Sequence, residues 1–292
     1  MIQLISKTLK GTTIQLLAIK QSRINALPTF IKQTKKAKTL WNGKKGSNAS
    51  QTAFTEIKDK LIKMSVGVEI CNYCKNNEAT DIEHIFPKSW FPNKTFIWEN
   101  YLLACRTCNT DYKSNRFAIF VPKHSSNILD IIAQPPNDDS AFINLQTENP
   151  LDFFFLNLRR GIFTIHPNLI NNTQSIAYIK ADYTLEMLAL NTRDALVNAR
   201  KSAVKYYLDR LERYTKIKAT TTAETLEIAI DPIEEIIDNV SFNTEKTRFL
   251  EAVKQEIKNY AHPTVWEELK RQKENFPGTN HLFQQAPEAS DW

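Results

Sequence analysis

Glycine and cysteine are scarce in this chain, whose 292 residues include 6 glycines and 4 cysteines. So few glycines leave little room for the positive-φ turns of a many-stranded all-β protein, and the composition therefore favours a helical or mixed fold. No apolar run approaches the roughly 18 residues that suggest a membrane-spanning helix. Lys7, Lys10 and Lys20 interrupt the region where a signal peptide has its apolar core. The sequence therefore predicts a soluble, cytoplasmic protein without a membrane partner.

The charge balance is mildly basic. Lysine and arginine number 38 against 32 acidic residues, which gives a formal net charge of +6. Such an excess suits a polyanionic partner such as nucleic acid. The chain contains no glycine-rich phosphate-binding loop, so we do not expect it to be an ATPase itself.

All four cysteines lie in one stretch, as two Cys-x2-Cys pairs separated by 30 residues. The pairs are Cys71 with Cys74 and Cys105 with Cys108. Two close pairs joined by a long loop suit a tetrahedral four-cysteine zinc site, because each pair holds one edge of the metal. The alternatives are two disulfides or unrelated buried thiols, which a reducing cytoplasm disfavours. The spacing therefore predicts a structural zinc ion.

The loop between the pairs carries polar residues that a purely structural zinc ribbon does not need. Glu83 and His84 lie between isoleucines, in a pattern that predicts a short strand with the acid and the imidazole on opposite sides. The apolar segment 96–105 predicts a second strand or turn that leads into a helix. On that helix, Asn109, Lys113 and Arg116 are spaced to share one face. The sequence thus predicts a hairpin followed by a helix, with zinc at the base.

Residues 71–117 resemble the HNH, or ββα-metal, endonuclease family. The family pattern has a cysteine pair, an acid-His-Ile-x-Pro strand, an asparagine before apolar residues, and Cys-x2-Cys followed by His or Asn. Here these positions are the first cysteine pair, Glu83 to Pro87, Asn100, and the second pair with Asn109. Three residues separate Asn109 from Lys113, whereas the family pattern leads us to expect two. The amino-acid sequence of the motif most resembles the HNH nucleases of Septu-type and retron-associated anti-phage systems, which act beside an ABC-type ATPase.

The resemblance and the chemistry of phosphodiester hydrolysis assign the same roles. His84 would act as the general base, because the reaction needs a base for water near neutral pH. Glu83 and Asn109 offer the hard oxygen ligands that suit Mg²⁺ or Mn²⁺, and Asp81 is expected to be a turn or second-shell residue. Asn100 is expected to tie the hairpin loop and orient the imidazole. The predicted catalytic residues are His84, Asn100, Asn109 and Lys113. The residues predicted to contact nucleic acid are Lys88, Lys113 and Arg116.

The remainder of the chain predicts mostly helix. We expect an α+β, mainly α fold, with residues 1–122 forming N-terminal helices plus the nuclease core and residues 123–292 forming a helical extension. A basic run between Lys32 and Lys45 precedes the motif, either as a solvated face or as a strip that contacts phosphates. His124 is expected to be a surface residue. From about residue 183, apolar side chains recur at three and four positions, as on amphipathic helices.

The sequence therefore predicts a metal-dependent endonuclease with structural Zn²⁺ and catalytic Mg²⁺ or Mn²⁺. DNA is the favoured substrate, with tRNA or another RNA as the alternative. The resemblance implies a role in bacterial anti-phage defence with an ABC-type ATPase partner. A stand-alone restriction-like nuclease and a non-catalytic zinc-stabilised nucleic-acid-binding module remain open alternatives.

Overall fold

A computed structural model describes residues 1–292 and is mainly helical, as predicted, with three small sheets. No helix is both long enough and apolar enough to cross a membrane. The α-helices are α1 Gly11–Asn25, α2 Phe30–Asn42, α3 Asn48–Lys63, α4 Ile176–Met187, α5 Asp194–Ala219, α6 Ala223–Ala229, α7 Phe242–Asn259, α8 Pro263–Gln272 and α9 Pro277–Gln285. The strands are β1 Asp81–His84, β2 Tyr101–Ala104, β3 Ala118–Phe120, β4 Ile128–Asp130, β5 Phe154–Asn157 and β6 Ile162–Ile165.

The strands pair in three separate two-stranded sheets, β1 with β2, β3 with β4, and β5 with β6. The β1–β2 pair is antiparallel, with Asp81 opposite Ala104 and His84 opposite Tyr101. A single helical segment, the π-helix Thr107–Lys113, follows β2 almost at once. The order strand, strand, helix matches the hairpin and helix that the sequence predicted for this stretch.

The chain forms two compact units, Met1–Phe155 with Phe163–Leu196, and Leu156–Ile162 with Val197–Trp292. The first unit therefore continues well beyond residue 122, where the sequence placed a boundary. The physical reason is that β3 does not end the core. Its residues Ala118 and Phe120 are buried with Ala141, and Ile176 and Tyr183 of α4 pack against them.

Two N-terminal helices prepare one wall of the motif. The Ser47 side chain caps α3 by accepting from the backbone N–H of Ser50, and Phe54, Ile57 and Leu61 form its buried stripe. In α2, the side chain of Thr29 caps the N-terminus, and Trp41 is buried near the other end. The helices thus bring an aromatic ring from outside the motif to the hairpin.

The second unit is built on α5, α7 and α8. The predicted stripe on α5 is buried at Ala203, Tyr207 and Leu211, as the three-and-four spacing requires. The turn before β6 contains Gly161 at φ +67°, and an added Cβ there would lie 2.5 Å from the Val197 carbonyl oxygen. Glycine is therefore required at this turn by both backbone conformation and space.

Candidate active site and metal centre

The four cysteines converge on one point. All four are buried and unpaired by disulfides, and their sulfur atoms lie within 4.8 Å of one another. The sulfurs of Cys74 and Cys105 are 3.9 Å apart, close to the roughly 3.8 Å that a tetrahedral Zn–S bond of about 2.3 Å implies. Burial raises the pKa of the Cys71 thiol well above its ordinary value. A divalent cation would stabilise these sulfurs as thiolates, so the cluster fits Zn²⁺ in donor type, number and spacing.

Local backbone geometry builds this cluster. The turn Cys71–Lys75 forms the first knuckle, and the turn that contains Cys105 and Cys108 forms the second. Lys75, at φ 56°, closes the first knuckle by donating its backbone N–H to the Cys71 carbonyl at 2.9 Å. Asn72 fixes this knuckle to β2, since its amide oxygen accepts from Leu103 N–H and its own N–H donates to the Leu103 carbonyl, both at 2.8 Å. In the second knuckle, the N–H of Cys108 points at the Cys105 sulfur, 3.4 Å away.

Two cations flank the sulfur cluster. Both terminal nitrogens of Arg193 lie 3.5 Å from the Cys108 sulfur, and the guanidinium stacks over the Tyr112 ring. Lys75 is buried beside Cys71 and Cys74, and burial lowers the pKa of its ammonium group to about 8. A zinc ion with four thiolates carries a net charge of −2, and these two cations are placed to balance it.

We expect Arg193→Ala to weaken zinc binding by roughly 10- to 100-fold, the usual effect of removing a residue that supports a metal ligand. Competition with a chromogenic chelator measures this directly. Arg106→Ala is the matched control, because Arg106 belongs to the same knuckle but is exposed. Equal zinc retention in both variants would show that Arg193 does not support the metal.

The hairpin presents its polar side chains in two directions. Asp81 and Glu83 point toward the π-helix, where Asp81 accepts a 2.9 Å bond from the Asn109 amide. The His84 ring lies instead against Trp41 and Tyr101. The alternation of a strand accounts for this separation, which the sequence predicted for Glu83 and His84.

Glu83 is held by a buried lysine. The Lys113 ammonium lies 2.6 Å from the carboxylate and donates a second bond of 2.9 Å to the His84 carbonyl. Lys113 is 0% exposed and Glu83 is 6% exposed. Burial raises the pKa of Glu83, and the ammonium group opposes that rise. The prediction that Lys113 contacts a substrate phosphate is therefore revised, because a fully buried, engaged ammonium group does not face solvent.

The same face provides oxygen donors for a second cation. The carboxylates of Asp81 and Glu83 and the Asn109 amide are the hard oxygen groups that Mg²⁺ and Mn²⁺ prefer. Glu83 already has a positively charged partner, the Lys113 ammonium. These residues fit a divalent cation in donor type, and such a cation would compete with Lys113 for the Glu83 carboxylate.

We expect Lys113→Met to destabilise the fold by about 3–5 kcal/mol, because it leaves the Glu83 carboxylate buried without a partner. The double variant Glu83→Gln with Lys113→Met should recover much of this loss, since no charge then remains buried. Urea unfolding of the wild type, both single variants and the double variant gives the coupling energy. Strict additivity would contradict the ion pair.

His84 is buried and held in one tautomer. Its Nε2 lies 2.9 Å from the Thr95 carbonyl oxygen. A carbonyl only accepts, so Nε2 carries the proton and Nδ1 carries the lone pair. Burial, aided by the charge of Lys88, lowers the pKa of His84 to about 3. The imidazole is therefore neutral, with a free lone pair, across the physiological pH range.

Asn100 fastens the chain on both sides of the hairpin loop. Its amide oxygen accepts from Phe86 N–H at 2.7 Å, and its amide nitrogen donates to the carbonyls of Phe86 and Lys94 at 3.1 and 2.9 Å. The Lys94 carbonyl immediately precedes Thr95, whose own carbonyl holds His84. Asn100 thus fixes the segment that orients the imidazole.

The π-helix corrects one prediction. Asn109, Lys113 and Arg116 were expected on one face of a continuing helix, but the helix ends at Lys113 because Ser114 has φ 48°. Arg116 follows this break, and its guanidinium bonds to the carbonyls of Tyr112 and Met187. It is exposed but already engaged by backbone oxygens. Lys88, in contrast, is partly buried near Glu83 and forms no ion pair.

Sequence reasoning missed two residues beside the site. The Trp41 ring centroid is 4.1 Å from that of His84, and Arg193 contacts Cys108. Both residues lie outside the motif. The basic run around Trp41 was the one sequence signal near that residue, and no signal indicated Arg193.

Comparison with known families agrees with this geometry. No curated protein matches the chain. Residues 71–115 match the model of the HNH endonuclease family, and this segment begins at Cys71, ends just after the π-helix, and includes Glu83, His84 and Asn109. Over residues 71–115 the chain is therefore similar to the HNH endonucleases.

Proposed function

We propose that this protein is a metal-dependent endonuclease that hydrolyses nucleic-acid phosphodiester bonds, with DNA as the favoured substrate. The observation that carries the proposal is the hydrogen bond from His84 Nε2 to the Thr95 carbonyl, which leaves the lone pair on Nδ1, within a segment that matches the HNH family. The Nδ1 lone pair of His84 would take a proton from the attacking water. Asn100 acts through the loop that holds the imidazole and is a positioning residue.

Glu83 and Asn109 would hold the catalytic cation, and Asp81 would orient the Asn109 amide. A bound Mg²⁺ or Mn²⁺ would neutralise charge on the phosphate and stabilise the leaving oxygen. The Lys113 ammonium holds Glu83 in place. When the metal binds, part of the Glu83 carboxylate would exchange its contact with Lys113 for a contact with the metal. Zn²⁺ on the four cysteines would fasten the hairpin to the helix.

The amino-acid sequence of the motif supports a more specific role for the protein, as the effector of a bacterial anti-phage system that works beside an ABC-type ATPase. Copurification of the chain with an ATPase, expressed from its native locus, tests this point. A stand-alone restriction-like nuclease is the outcome if no ATPase associates and cleavage is unregulated.

Two observations favour a second candidate, a non-catalytic nucleic-acid-binding module. The Glu83 carboxylate points toward the π-helix whereas the His84 ring lies against Trp41 and Tyr101, so the candidate base and the candidate metal ligands lie on different sides of β1. The buried Lys113 neutralises Glu83, which would block metal binding if the ion pair never opened. The deciding experiment incubates the protein with duplex DNA, single strands and tRNA, in Mg²⁺, Mn²⁺ or neither. Cleavage that depends on the added metal supports the nuclease. Binding without cleavage under every condition supports the module.

A further inference from the structure

Four lysines near the hairpin have no carboxylate partner. They are Lys38, Lys44, Lys45 and Lys88, and none of them forms an ion pair. Two of them, Lys44 and Lys88, lie close enough to His84 to affect its charge, and the other two neighbour these lysines. Neighbouring lysines behave differently, since Lys94 and Lys123 both pair with Asp138. The unpaired group therefore forms a local surplus of positive charge.

Lys44 is the best defined of the four. It follows the C-terminus of α2 and places its ammonium 4.7 Å from the centre of the Trp41 ring. The same ring packs on His84, with 4.1 Å between centroids. A cation on an aromatic face is restrained, so less side-chain freedom remains to be lost when a ligand binds. One aromatic residue thus connects Lys44 to the candidate base.

The charges around Lys44 disfavour its ammonium form. Burial, followed by the neighbouring Lys45 and Lys88, lowers the pKa of Lys44, and only Asp81 opposes them. Lys88 is affected in the same way by burial, Lys113 and Lys38, with Glu83 in opposition. Both opposing carboxylates already have partners, Asn109 for Asp81 and Lys113 for Glu83. The cluster is therefore deficient in negative charge.

We propose that Lys44, held on Trp41, and Lys88 form a backbone-phosphate clamp beside His84, so that α2 and its following loop belong to the substrate-binding surface. The ligand is a phosphodiester of the polynucleotide backbone. This inference rests on the proposed function, and it extends the substrate surface beyond residues 71–115. The clamp reads charge rather than sequence.

Fluorescence anisotropy in the inactive His84→Gln background tests the clamp without cleavage. The probes are a labelled 20-base-pair duplex, a single strand of equal length and tRNA, each titrated between about 50 and 200 mM salt without added Mg²⁺. Lys44→Gln should weaken duplex binding roughly 5- to 10-fold near 0.1 M salt. It should also reduce the slope of log K against log[salt] by about 0.9 for the duplex and 0.7 for the single strand, as expected for one lost phosphate contact.

Two controls make the effect local. Lys44→Arg keeps the cation and should retain the parental salt slope. Lys32→Gln removes a lysine from α2, the helix that carries Trp41, about 14 Å from Trp41 at 1.5 Å per residue, and should change the slope less than Lys44→Gln. Equal losses at both positions, or an unchanged slope in Lys44→Gln, would overturn the clamp. If the slope is unchanged in Lys44→Gln but the unsubstituted protein cleaves, the clamp is wrong and the proposed nuclease activity is unaffected. If the slope falls but no cleavage is found, the clamp is supported and the nuclease activity is wrong.

Discussion

Replacing His84 by alanine should abolish metal-dependent cleavage, with a loss of at least about 100-fold and as much as about 10,000-fold, the usual contribution of a general base. The reason is structural: the imidazole supplies a lone pair on Nδ1 that no neighbouring side chain replaces, since Trp41 and Tyr101 present aromatic rings to it. Initial rates on the substrate found in the cleavage survey, at saturating metal, measure the effect.

Loss of activity through unfolding must be separated from loss of the base. His84→Gln keeps an amide N–H for the Thr95 carbonyl and should therefore retain zinc and fold while remaining inactive. His124→Ala is the matched control, because His124 is an exposed histidine outside the hairpin and should cleave like the wild type. A folded, zinc-bound His84→Gln protein with wild-type rates would remove His84 from the mechanism.

Removing one zinc ligand should have the largest effect on stability. Structural zinc sites contribute on the order of 10–16 kcal/mol of apparent binding free energy in small peptides, which is as large as the whole stability of a typical domain. We therefore expect Cys108→Ser to lose the bound zinc and to unfold the region around residues 71–115. Elemental analysis gives the zinc content, and hydrogen exchange shows which amides lose protection.

The control for the cysteine variant is Asn76→Ala, an exposed substitution in the first knuckle that should leave zinc and stability unchanged. Treating the wild type with a strong chelator should reproduce the cysteine phenotype, and added Zn²⁺ should reverse it. A zinc-free protein with an unchanged melting temperature would show that the sulfurs do not hold a structural metal.

Much of this architecture was predictable because short-range rules governed it. The cysteine spacing predicted one cluster, and the sulfurs do converge. The alternation around Glu83 and His84 predicted side chains on opposite sides of a strand, and β1 has them so. The stripe on α5 predicted its buried face. Each of these features depends on residues close in sequence, where the geometry of strands and helices leaves few choices.

The unpredicted features depend on contacts between distant residues or on local backbone irregularity. Nothing within the motif indicates that Trp41, more than forty residues before His84, packs on its ring. The pairing of Glu83 with Lys113 joins residues that both looked suited to solvent or substrate, and burial made them partners. The π-helix and the positive φ of Ser114 removed Arg116 from a face that ideal helical spacing had assigned to it. The boundary near residue 122 was misplaced because β3 continues into a core completed by α4.

Because Trp41 packs on His84, the motif segment alone does not contain every side chain that surrounds the imidazole. A segment cut at residues 71 and 115 would take the cysteines, the hairpin and the short helix, but it would leave behind the indole that shields one flank of the imidazole. On another scaffold that histidine would be exposed to water, and its pKa would return toward the ordinary value of an imidazole. A minimal fragment would therefore keep the cysteine cluster but not the buried surroundings of His84.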